Sequence, residues 1–133
     1  MNQGNVQSGA PGGNAGGSTG GELLARAAMD YIKTHYREKF SLQEIAGSLF
    51  VNGSYLLRVF RKYTGFTLLA YHNHLRCEQA RELLAGTDES VSDISEAIGF
   101  VSPAHFSQVF KKEEGCTPTE YRLQHQEGLS GPA

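Results

Sequence analysis

The first strongly patterned stretch of the chain has apolar residues at steps of four, Leu24, Ala28, Ile32 and Tyr36. That step places them along one face of an amphipathic helix. Ser41-Leu-Gln-Glu44 follows as a capping box, in which the serine hydroxyl accepts from the third helical amide and the glutamate reaches back. It predicts a short helix from Leu42 to about Leu49. After a break at Phe50 to Asn52, Asn52 is placed to cap a further helix with Leu56, Val59, Phe60 and Tyr63 facing inward, and Gly65 to end it in the left-handed conformation. Thr67 caps a longer apolar-striped segment that carries Leu68, Tyr71, Leu75, Ala80, Leu83 and Leu84 and stops at Gly86. At ~1.5 Å per residue it spans roughly 27 Å.

The order then recurs. Ser90 and Asp93 open a short helix with Ile94, Ala97 and Ile98 on its apolar face, Gly99-Phe100-Val101 breaks it, and Ser102-Pro103 starts another with Phe106, Val109 and Phe110 inside. FRKYTGFTLLAY at 60–71 and FKKEEGCTPTEY at 110–121 agree in Phe, Lys, Gly, Thr and Tyr. The offset is forty-nine residues before the turn and fifty after it, so the second unit carries one extra turn residue. No strand pattern is found. The expected fold is all-α, with two units of short helix, tight turn and second helix at 22–66 and 87–124, joined by a linker helix at 67–86. This is the plan of a helix-turn-helix, whose second helix can enter the DNA major groove; similar helix pairs also occur in proteins that bind no DNA.

Residues 1–21 are rich in Gly, Ser and Asn and read as a flexible tail or linker, and 125–133 as a flexible C-terminal tail. The chain lacks an apolar run long enough for a membrane span and a secretory signal, so a cytoplasmic setting is expected. Cys77 and Cys116 are far apart and form no C-x-x-C pair, so two reduced thiols are expected. His72 and His74 lie about 200° apart on a helix and cannot share an ion, and His74 with Cys77 supplies only two ligands, so neither a metal nor a cofactor is expected. His72 either reaches a phosphate or faces solvent. No nucleophile elbow, phosphate loop or paired catalytic carboxylates stand out, so no catalytic residue is assigned and an enzyme is not expected.

The formal charge of −2 argues against a uniformly basic surface,. Its distribution changes that picture. Between Asn52 and Gly65 there are three cations and no carboxylate. The outer face of that helix presents Ser54, Arg58 and Arg61, with Leu57 and Lys62 at its edges and Tyr55 in its first turn. Arg58 is suited to bond guanine O6 and N7 together; the alternative is a surface arginine paired with a carboxylate. Leu57 either touches a thymine methyl or packs on the neighbouring unit. In the second unit the corresponding face carries Ala104, Ser107, Gln108 and Lys111, with His105 and Lys112 at the margins. Gln108 holds the place of Arg58 and can bond adenine bidentately. Residues 102–115 sum to zero charge because Glu113 and Glu114 follow the lysines, so this unit is expected to grip phosphate more weakly.

IGFVSPAHFSQVFKKEEGCTPTEYR, Ile98 to Arg122, resembles the signature of AraC/XylS-type transcriptional regulators, and LLAYHNHLRCEQARELL is similar to the linker helix of that family. The resemblance covers residues 22–122. It implies a homeodomain-like arrangement of about seven helices and sequence-specific binding to double-stranded promoter DNA, with two recognition helices in adjacent major grooves. It also implies activation through contact with RNA polymerase. The sequence departs from the family pattern at Gly53, where Pro is frequent, and at Gln108, where Arg or Lys is common. Many relatives carry an effector-binding domain before the DNA-binding region, and such a domain N-terminal to residue 22 is a possible partner in a full-length protein. A helical protein-interaction module that binds no DNA is the competing reading.

Overall fold

The computed structural model describes residues 19–126, which hold both helix-turn-helix plans; of the expected tails, 1–18 and 127–133 lie outside the described residues, while Gly20, Gly21 and His125 belong to helices. Seven helices and no strand occur among the described residues: α1 (Gly20–His35), α2 (Leu42–Ser48), α3 (Gly53–Thr64), α4 (Leu68–Gly86), α5 (Val91–Ile98), α6 (Pro103–Glu114) and α7 (Pro118–His125). The chain divides into two compact units.

The first unit holds the chain up to Thr34 together with Ser41–Tyr71, and so contains α1 except its last residue, α2, α3 and the first turn of α4. Ala25, Ala28 and Ile32 of α1, Ile45 and Ala46 of α2, Leu56, Val59 and Phe60 of α3, and Leu68 and Tyr71 of α4 are buried. The helix starts follow the sequence. The Ser41 hydroxyl accepts from the Glu44 amide at 3.1 Å and the Asn52 carbonyl oxygen from the Tyr55 amide at 3.2 Å. Only the serine half of the expected Ser41–Glu44 box forms. Both halves form instead at Thr117 and Glu120, at the start of α7. Gly65 ends α3 at φ 81°.

Tyr63 departs from the expected core position. It is 38% exposed, and its hydroxyl accepts a hydrogen bond from Thr19 Oγ1 at 3.2 Å. A Cβ at Gly21 would stand 2.7 Å from the Tyr63 ring. The tyrosine therefore fastens the start of α1 from outside the core.

The second unit comprises residues 35–40 and 72 onward. Its core is Cys77, Ala80 and Leu84 of α4, Ile94 and Ile98 of α5, Phe100 of the turn, and Phe106 and Phe110 of α6. Val109 and Tyr121 pack on it half-buried, while Ala97 is exposed. Segment 35–40, read from sequence as part of the first unit, packs here: Tyr36 ends no α1 stripe but lies against this core. The cause is Arg76. Its side chain is buried, its Nε donates to the Tyr36 carbonyl at 2.6 Å, its Nη2 donates to the Glu38 carbonyl at 2.7 Å, and its guanidinium lies 5.0 Å from the centre of the Phe100 ring. Carbonyls freed at the end of α1 thus find a charged donor in α4. The device recurs one repeat later, where Arg122 donates to the Leu84 carbonyl at 3.0 Å and the Thr87 carbonyl at 3.2 Å beyond the end of α4.

His72 meets neither phosphate nor solvent. It is 4% exposed, its ring lies 5.4 Å from that of Phe40, and neither ring nitrogen has a hydrogen-bond partner among the described residues. Burial, and then the Arg76 charge, push its pKa down to about 4, against a smaller opposing pull from the Glu38 and Tyr36 carbonyls, which already accept from Arg76. The ring is held neutral.

Candidate nucleic-acid interface

In the first unit, α2, residues 49–52 and α3 form the helix-turn-helix. Leu56, Val59 and Phe60 fix the rotation of α3 by burying one stripe. Ser54, Tyr55, Leu57, Arg58, Arg61 and Lys62 all lie on its exposed side. None of the three cations forms an ion pair among the described residues, so the carboxylate-paired reading of Arg58 does not hold there. The Arg58 guanidinium instead lies 5.3 Å from the centre of the Tyr55 ring, and the Lys62 ammonium 5.3 Å from that of Tyr63. Leu57 is 42% exposed and its side chain is not part of its own unit's core.

In the second unit, α5, the turn through Val101 and α6 repeat the plan. Phe106 and Phe110 are buried; Ala104, His105, Gln108, Lys111 and Lys112 are exposed and Ser107 is half-buried. The His105 ring packs edge-on to Phe100 at 5.5 Å. The two glutamates that cancel the lysines in the sequence count are engaged by α4. Glu113 pairs with His74 at 2.9 Å, and Glu114 with Arg81. The Arg81 charge offsets that of Glu114, so helix charge summed along the sequence understates the positive character of the outer face, where Lys111 and Lys112 stand without an ion pair among the described residues. The charge contrast between the two recognition helices is narrower than +3 against zero.

Three contacts escaped the sequence reading. Tyr55 and Arg58 stand at an i, i+3 spacing that places side chains side by side on a helix, so their contact has a local signal. Pairing of Glu113 and Glu114 with α4 needs the tertiary fold and had no local signal. Cys77 is fully buried, and burial with the nearby Glu113 and Glu114 charges pushes its thiol up to about 12. Among the described residues, no group of three His, Cys, Asp or Glu is placed to hold a metal, and no helix is long and apolar enough to cross a membrane.

Residues 45–124 match the family described as Helix-turn-helix domain. The HTH-type transcriptional activator RhaS of Enterobacter is 37% identical over 94 residues, which are 71% of this chain and 34% of that protein. Among solved structures, an AraC-type DNA-binding-domain regulator from Chromobacterium violaceum superposes with a TM-score of 0.73 at 31% identity, covering 81% of this chain and 96% of the other. The DNA-binding domain of AdpA in complex with a target DNA also gives 0.73, at 27% identity over 82% and 97%. The chain spans only about a third of the length of the sequence relatives it matches. With two capped helix-turn-helix units, an outward basic helix face and these matches, the chain belongs to the helix-turn-helix family as an AraC/XylS-type DNA-binding domain of a transcription regulator.

Proposed function

We propose that the chain reads promoter DNA by laying α3 and α6 in adjacent major grooves. Arg58 bonds guanine O6 and N7 with its fork, and Gln108 bonds adenine N6 and N7. Leu57 meets a thymine methyl, while Ser54, Tyr55, Ala104, His105 and Ser107 line the two grooves. Arg61, Lys62, Lys111 and Lys112 take phosphates, which set register without reading sequence. The observation that carries this reading is the outer face of α3, with three exposed cations and no ion pair among the described residues. The DNA held by the AdpA domain supports the same use of a similar fold.

In the full regulator, a domain before residue 22 senses an effector or dimerises, and the DNA-bound units activate transcription through contact with RNA polymerase in the cytoplasm. The activator name of RhaS supports activation. The first test is a binding titration on a duplex selected by the chain from a random-sequence pool. Affinity is expected to fall steeply with salt, by a log–log slope of about −0.9 for each phosphate contact. An affinity flat in salt, or no selection from the pool, refutes the proposal.

A further inference from the structure

The equivalent first-turn positions of α3 and α6 carry rings used in different ways. Tyr55 is 40% exposed and supports the Arg58 guanidinium 5.3 Å from its ring centre. Its counterpart His105 turns its ring onto Phe100, and the place of Arg58 is taken by Gln108, which carries no charge to rest on a ring. A free arginine samples many rotamers, and ordering it on binding opposes affinity. A guanidinium stacked on a ring keeps its donors in plane and pointing past the ring edge, which is the geometry a bidentate guanine contact requires.

We infer that Tyr55 is a specificity-determining positioning residue: its ring serves as the platform that holds the Arg58 fork ready for a base, a device α6 lacks. This rests on the reading of α3 as a base-contacting helix. The face of the ring performs the task and the hydroxyl is dispensable. Discrimination by the first unit therefore depends on two residues acting together, and Tyr55 contributes to it without reading a base.

The test uses the whole chain and two probes: a duplex selected by the wild-type chain from a random pool, and the same duplex scrambled. Tyr55→Phe is expected to keep the ratio of the two affinities. Tyr55→Leu is expected to lower it by about 2- to 5-fold, the worth of an exposed cation–π contact. In an Arg58→Ala background, Tyr55→Leu is expected to change the ratio no further. Helical circular dichroism checks the fold of each variant, and Tyr55→Gln, a good helix former without a ring, replaces the leucine variant should that fail to fold. An unchanged ratio in the ringless variants overturns the inference, as does an additive loss in the Arg58→Ala background. Loss in Tyr55→Phe equal to that in Tyr55→Leu assigns the effect to the hydroxyl and overturns it too. Failure of the wild-type chain to distinguish the two duplexes overturns the DNA-reading proposal itself, and this inference with it.

Discussion

Phe50 and Gly99 hold the same place in the two units: each is the left-handed residue that closes the helix before the turn, at φ 58° and φ 101°. The backbone hydrogen bonds match as well. Val51 N–H donates to the Ala46 carbonyl at 3.0 Å, and Phe100 N–H to the Ser95 carbonyl at 3.0 Å. Yet one unit has phenylalanine where the other has glycine. The Phe50 side chain is 94% exposed and meets nothing that forbids it, so the unit bears only the local strain of a non-glycine in this conformation,. At Gly99 a Cβ would stand 1.9 Å from the Arg37 carbonyl oxygen. A left-handed residue at the same place in both units thus has unequal causes. In the first unit the turn is set by its own backbone; in the second it is also pressed by segment 35–40, held there by Arg76.

The sharpest way to break this comparison is Gly99→Ala. Clash with fixed backbone adds to left-handed strain, and the variant is expected to lose about 3–5 kcal/mol in urea unfolding. Gly65→Ala, at φ 81° with open space around it, is the control and should lose only about 1 kcal/mol. Comparable losses at the two glycines would show that the contact with Arg37 is unimportant.

The next largest effect concerns acid. The second unit buries a neutral His72 whose pKa falls from 6.5 to about 4. The unfolded chain takes up that proton more readily, so stability is retained above about pH 6.5 and is lost as pH falls from there towards 4, by roughly 3 kcal/mol in full. Unfolding free energies of the wild type and His72→Phe, measured across that range, should differ in slope. Parallel curves would remove His72 as the cause.

On DNA, Arg58→Ala is expected to cost about 1–3 kcal/mol at one base pair, and more than Gln108→Ala, because a charged fork is the stronger reader. Equal losses in titrations on the selected duplex would erase the difference between the heads. The smallest effects are gains. Phe50→Gly removes left-handed strain and should raise stability by about 1 kcal/mol, read as a higher urea midpoint. Ser95 is buried, and its hydroxyl has no partner among the described residues, where the first unit has Ala46. Ser95→Ala should also stabilise, by about 1 kcal/mol; a loss there would mean that the hydroxyl has a partner.

Much of the architecture was legible in the sequence because its causes are local. Ser41, Asn52, Ser90, Ser102 and Thr117 cap helices through amides three residues away, and the stripe Leu56, Val59, Phe60 is a matter of helical period. Those same rules determined which side of α3 faces outward, and hence that Arg58, Arg61 and Lys62 are exposed. Only the tertiary structure decided where residues 35–40 belong, why Gly99 must be glycine, that His72 is buried and Tyr63 is not, and that Glu113 and Glu114 are engaged by α4. Each of those depends on a group more than 30 residues away in the chain, and a local pattern carries no record of such a partner.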